Sequence, residues 1–223
     1  MLEGIVFDFD GLILDTEGPQ YDGWRSVYER FGLDLPIDRW VEVLGRPAWM
    51  FDFHTRLEEL GDPAYDREAI DAERRKSVRS RIDASDLMPG VRDLVAQARS
   101  KGLRLSIASG SDREWVAGYL EKHGLIDAFP ILVTREETTR HKPEPDPFAE
   151  ACRRMGLPPQ RCLALEDSPN GIRSAAAAGL YAVAVPNRVT AGQSFDEADR
   201  IVESLETVDL HEVAAAMGER VRA

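Results

Sequence analysis

Basic residues are in deficit: 28 Lys+Arg stand against 40 Asp+Glu, a formal net charge of −12. That balance excludes non-specific binding to nucleic acid and adhesion to anionic lipid, and it favours metal cations or local basic pockets. Only two cysteines occur, Cys152 and Cys162, neither beside a His or a second Cys, so a disulfide framework and a thiolate metal site are both excluded. The start of the chain lacks a basic stretch followed by an apolar one, and no uncharged apolar run approaches the roughly 18 to 20 residues that cross a bilayer. The expectation is a soluble cytoplasmic protein with no membrane partner. Repeats and low-complexity tracts are also missing. With 223 residues and 43% hydrophobic content, the chain can bury a medium core that carries a sizeable insertion.

What is present begins with Gly4-Ile5-Val6-Phe7-Asp8-Phe9, a nearly continuous apolar run of strand formers such as a sheet covered on both faces requires. Similar runs fall at residues 103–108, 131–133, 162–165 and 181–185, separated by helical stretches. The alternation predicts a parallel α/β sheet. Gly102, Gly124, Gly156 and Gly179 stand just past the helical stretches, where a left-handed cap is expected. Between residues 16 and 82 no strand-like run occurs. Trp24, Val27, Tyr28 and Phe31 recur at helix spacing, as do Leu57 and Leu60, and packing explains them without a stacking role. An all-helical module of residues 16–82 is therefore expected inside an α/β core of residues 1–15 and 83–223. A basic run in that module, Arg74, Arg75, Lys76, Arg79 and Arg81, reads as a solvated helix face, the alternative being a cap surface that attracts an anionic substrate.

Carboxylates mark the carboxyl ends of two strands. Asp8 and Asp10 end the first run and Glu166 and Asp167 the fourth, at the sheet edge where ligands bind. At about 4 Å and an effective dielectric near 20, each pair of like charges costs about 4 kcal/mol. Such a cluster demands a cation or displaced pKa values, and hard oxygen ligands beside a phosphate select Mg²⁺. The run at 103–108 ends in Ser109-Gly110-Ser111-Asp112, a small-residue turn whose hydroxyls and amides suit an anion. His141-Lys142-Pro143-Glu144-Pro145 holds an ammonium in a proline-stiffened loop. Nucleophile, cation, hydroxyl with amides, and ammonium together make a phosphoryl-transfer site. A calcium loop starting at Val6 is excluded, because Val6 stands where its first acid belongs and its flank is a strand pattern.

These motifs resemble those of the haloacid dehalogenase superfamily: DFDGLILDTE from Asp8, ASGS ending at Ser111, the Lys142 of HKPEPDPF, and LEDSPNGI from Leu165. The likeness covers nearly the whole chain, and the insertion resembles the helical cap of the β-phosphoglucomutase and phosphoglycolate-phosphatase subgroup. It implies a Rossmannoid core with strand order 5-4-1-2-3 and Asp8 as a nucleophile that forms an aspartyl phosphate. It implies Asp10 as general acid and base, with Ser109 and Lys142 holding the phosphoryl group. Mg²⁺ would take the Asp8 carboxylate, the Asp10 main-chain carbonyl and Asp167, with Glu166 either a ligand or a neighbour to one. Gly11, Gly110 and Ser111 would meet the substrate.

Dehalogenases and phosphonatases of the superfamily generally lack an acid at the second position, so Asp10 favours phosphate esters. The expected function is Mg²⁺-dependent hydrolysis of a small phosphorylated metabolite by a monomer or weak homo-oligomer, with no nucleic-acid partner. The alternative is a β-phosphoglucomutase-like mutase, opposed by two departures. Gln20 stands where the mutases carry a proton-exchanging His, and Gly45-Arg46-Pro47-Ala48-Trp49 lacks their Ser-Arg pair. Gln20, Arg46 and Trp49 remain candidates for substrate contact. A phosphoryl-accepting switch shares the acids, hydroxyl and Lys, but chain length and the second acid oppose it.

Overall fold

The computed structural model describes residues 1–41 and 52–220. The chain divides into two compact units, one of residues 1–14 and 87–223 and one of residues 15–86.

The first unit is built on a parallel sheet. Its strands are β1 (Gly4–Phe7), β2 (Arg104–Ala108), β3 (Ile131–Val133), β4 (Cys162–Glu166), β5 (Tyr181–Ala184) and β6 (Arg200–Ile201), in the order β3-β2-β1-β4-β5-β6. Five of these follow the expected order, and β6 is an addition at the edge beside β5. Its two residues include Arg200 and a 57% exposed Ile201, so no apolar run announces it. β1, β4 and β5 are buried along their whole length, as a sheet with both faces covered requires. Helices α5 (Val91–Ser100), α6 (Arg113–Lys122), α7 (Asp146–Met155) and α8 (Pro169–Ala177) alternate with the strands, and α9 (Leu210–Arg220) follows the last. The apolar face of α7, with Phe148, Ala151, Cys152 and Met155, shares a core cluster with Val6, Ala164 and Ala182 of the sheet. Cys152 and Cys162 are unlinked and buried. Gly102, Gly124, Gly156 and Gly179 take φ between 68° and 87° (70°, 69°, 68° and 87°), the left-handed caps expected of them.

Register decides where the chemistry falls. Phe7 pairs with Ile107 on one side and Leu165 on the other. One step further on, Asp8, Ala108 and Glu166 lie abreast, and neighbouring strands are about 4.8 Å apart. The backbone extends this alignment: Asp8 N donates to Leu165 O at 2.9 Å, and Ser109 N to Val133 O at 2.9 Å.

The second unit is helical, with α1 (Glu17–Arg30), α2 (Ile37–Val41), α3 (Phe53–Glu58) and α4 (Arg67–Ala84). Trp24 stacks on Phe53 with ring centroids 4.9 Å apart, and Tyr28 Oη donates to Phe53 O at 2.9 Å. Trp24, Val27, Tyr28 and Leu57 are core residues, as their spacing predicts, whereas Leu60 lies past the end of α3 and is 42% exposed. The basic run does not share one fate. Arg75, Arg79 and Arg81 are exposed and pair with Asp71, Asp83 and Asp22, but Arg74 turns inward, its guanidinium 4.5 Å from the Trp24 ring. Burial draws its pKa down, against the pull of Asp71. No helix among the described residues is long and apolar enough to cross a membrane.

Candidate active site

Asp8, Glu166 and Asp167 are all buried, and one carboxylate oxygen from each lies within 4.8 Å of the others. The loop before α7 delivers Lys142 to this group: Nζ donates to Asp8 Oδ1 at 2.5 Å and to Glu166 Oε1 at 2.6 Å. Lys142 also lies 5.0 Å over the Phe148 ring, and its peptide bond to Pro143 is cis. Burial alone would lower the Lys142 pKa, but the charges of Asp8 and Glu166 and their hydrogen bonds reverse this, and the net shift is upward. For Asp8 burial pushes the pKa up, Lys142 pulls it back, and Glu166 and Asp10 add to the rise, which prevails. The ammonium is therefore secured, and the surplus negative charge is felt at Asp8. Three carboxylates facing one ammonium leave two negative charges, a demand that a hard divalent cation meets.

The acids differ in how far they are committed. Both Glu166 oxygens are engaged, Oε1 by Lys142 and Oε2 by Ser168 N at 2.7 Å and Ser168 Oγ at 2.9 Å. Ser168 caps α8 by accepting from Gly171 N at 3.1 Å, so the helix start and the Glu166 carboxylate are fixed by one hydroxyl. Among the described residues nothing hydrogen-bonds to Asp8 Oδ2. Asp167 Oδ2 accepts from Asn187 Nδ2 at 2.7 Å, and the same amide nitrogen donates to Gly11 O at 3.1 Å. Gly11, at φ 81°, has no room for a β-carbon, which would collide with the Asp167 carboxylate. Asn187 is itself held by the turn beyond β5, with Oδ1 accepting from Val189 N at 2.8 Å and Thr190 N at 3.1 Å.

The Asp10 carboxylate is not one of the clustered three. Its Oδ2 accepts from Ser111 Oγ at 2.6 Å and Ser109 Oγ at 3.2 Å, while Oδ1 accepts from Trp115 Nε1 at 3.0 Å. The Ser109 hydroxyl in turn accepts from Ser111 N at 3.0 Å, which closes the small-residue turn containing Gly110. Gln20 lies in the helical unit, where its Oε1 accepts from Arg74 Nη1 at 3.0 Å. Arg46 and Trp49 fall outside the described residues. Sequence reasoning missed Asn187 and Trp115. Neither stands in a recognised motif, and only the turn-prone Pro186-Asn187 after the fifth apolar run offered a hint.

The chain is similar to known proteins over most of its length. YhcW of Bacillus subtilis (strain 168) is 36% identical over 210 residues, covering 94% of this chain and 95% of that protein. Fructose-1-phosphate phosphatase YqaB of Escherichia coli (strain K12) is 33% identical over 183 residues, 82% of this chain and 95% of the relative. The crystal structure of CbbY from Rhodobacter sphaeroides in complex with phosphate superposes with a TM-score of 0.69 at 27% identity, covering 93% of this chain and 96% of that one. The family model for haloacid dehalogenase-like hydrolases matches residues 2–179, and the chain belongs to that family of hydrolases.

Proposed function

We propose that the protein is a Mg²⁺-dependent phosphatase that hydrolyses a small phosphorylated metabolite, such as a sugar phosphate, through an aspartyl phosphate on Asp8. The observation that carries this reading is the Lys142 ammonium bridging Asp8 and Glu166 beside Asp167. An ammonium so placed draws the Asp8 carboxyl back toward its ionised form, against burial, and can hold a phosphoryl oxygen at the same time. Relatives named as phosphatases, and a related structure that contains phosphate, support the substrate class.

The donor set fits the ion. Asp8, Asp167 and the Asp10 main-chain carbonyl would hold it, and with both its oxygens engaged Glu166 serves to fix Lys142. When bound, Mg²⁺ supplies charge neutralisation for the phosphoryl oxygens and the carboxylates around them.

In the first step an Asp8 carboxylate oxygen attacks phosphorus and the ester P–O bond breaks. Asp10 gives its proton to the departing oxygen, a contribution worth roughly 10²- to 10⁴-fold in rate. Lys142 and the Ser109 hydroxyl hold the equatorial phosphoryl oxygens as charge shifts toward them. In the second step water attacks the same phosphorus and yields a proton to Asp10. The bond between Asp8 and phosphorus breaks, and inorganic phosphate leaves with the carboxylate restored.

A phosphate-release screen over hexose, pentose, nucleotide and two- or three-carbon phosphates tests the reading, with Mg²⁺ and with EDTA. Free phosphate that disappears with chelator is expected. Conversion of a hexose 1-phosphate to its 6-phosphate isomer without phosphate release would assign a mutase instead.

A further inference from the structure

The two oxygens of Asp10 are held by different kinds of donor. Oδ2 faces two serine hydroxyls, which rotate freely and can turn to another acceptor. Oδ1 faces the Trp115 indole N–H, a donor only, fixed in a rigid ring. That ring is itself secured. Trp115 N donates to Asp112 Oδ1 at 2.8 Å in the N-terminal cap of α6, and the indole meets Tyr119 one turn on, edge to face, with centroids 4.8 Å apart. Trp115 thus joins the start of α6 to the acid that follows β1, across 105 residues of sequence.

From this asymmetry we infer that Trp115 is the positioning residue of Asp10: it keeps Oδ1 anchored throughout turnover while Oδ2 exchanges the serine hydroxyls for the substrate's leaving oxygen. Ser109 and Ser111 are then released to the phosphoryl group, and the carboxylate stays in line because one of its oxygens never lets go. The inference rests on the assignment of Asp10 as acid and base.

Trp115→Phe removes the N–H and keeps the ring against Tyr119. Loss of one hydrogen bond to a carboxyl that gains charge as it gives up its proton predicts a fall in kcat of roughly ten- to a hundredfold on fructose 1-phosphate. KM and Mg²⁺ affinity should stay within about twofold, as the N–H removed is committed to Asp10 Oδ1. On p-nitrophenyl phosphate, whose leaving oxygen departs without a proton, the fall should shrink to about threefold or less. In an Asp10→Asn background the added Trp115→Phe change should cost nothing further. A readout independent of turnover is the indole region of a ¹⁵N-labelled spectrum: the cross-peak missing in Trp115→Phe should be the one displaced by Asp10→Ala. Equal losses on both esters, additive losses in the double variant, or an unmoved indole peak would overturn the assignment. Wild-type kcat in Asp10→Asn would instead remove Asp10 from the chemistry, and the role of Trp115 with it.

Discussion

Gly171 stands where it does because of Glu166: a β-carbon on this first-turn residue of α8 would overlap the Glu166 carboxylate. Two effects oppose each other in Gly171→Ala. Helix propensity favours Ala by about 0.5–1 kcal/mol, but displacing Glu166 strips a buried ammonium of one partner and breaks the bonds to Ser168, at about 1–3 kcal/mol for each buried group left unsatisfied. The clash wins, so the variant should unfold at lower denaturant and lose activity together. A stabilised, active Gly171→Ala would show that Glu166 has freedom the structure does not give it.

Lys142→Met keeps the length of the side chain and removes its charge. Asp8 and Glu166 then face each other without the ammonium 2.5 and 2.6 Å away. Turnover should fall by roughly 10²- to 10³-fold, the size of losing one charge-stabilising donor, and Lys142→Arg should not restore it, because a planar fork cannot replace a point charge in this enclosure. Steady-state kinetics on the best ester of the screen measures both.

Asn187→Ala deletes the amide that holds Asp167 and the Gly11 carbonyl. Partners that orient metal ligands are worth roughly ten- to a hundredfold in affinity. Titration calorimetry with Mg²⁺ should show a loss of that size, and an unchanged dissociation constant would leave Asp167 positioned by other means.

Glu150 on α7 supplies a pH signature outside the site. Hydrogen bonds from Arg153, then Arg154, hold its carboxyl down to about 2 from the ordinary 4.5. A depressed folded-state pKa gives stability that is present above about 4.5 and lost as pH falls toward 2. With the Arg153 side chain 70% exposed, screening reduces the effect to about 1 kcal/mol or less. Denaturation of wild type and Glu150→Gln should differ by that amount at pH 7 and converge near pH 2.

The parts of the site that are contiguous in sequence were legible. Apolar runs ending in Asp8, Ser109 and Glu166-Asp167 place these residues at strand ends, and parallel register brings strand ends together. Lys142 was legible as a charge in a proline-held loop. Where the Asp10 carboxylate turns was not, since its partners Ser109, Ser111 and Trp115 come from another strand's loop and helix. Asn187 meets Gly11 across 176 residues and belongs to a residue type common in any turn, so nothing local distinguished it. Strand β6 lacks an apolar run because the sheet edge asks for none.

The central claim is a bond between Asp8 and phosphorus. Quenching the enzyme during turnover with Mg²⁺, reducing it with borohydride and sequencing its peptides by mass spectrometry tests that bond directly, because an acyl phosphate is reduced to an alcohol. Homoserine at position 8, absent from the unreacted protein, is the predicted result. Phosphate release with position 8 unmodified, or with the reduced residue at Asp10 or Asp167, would contradict the account.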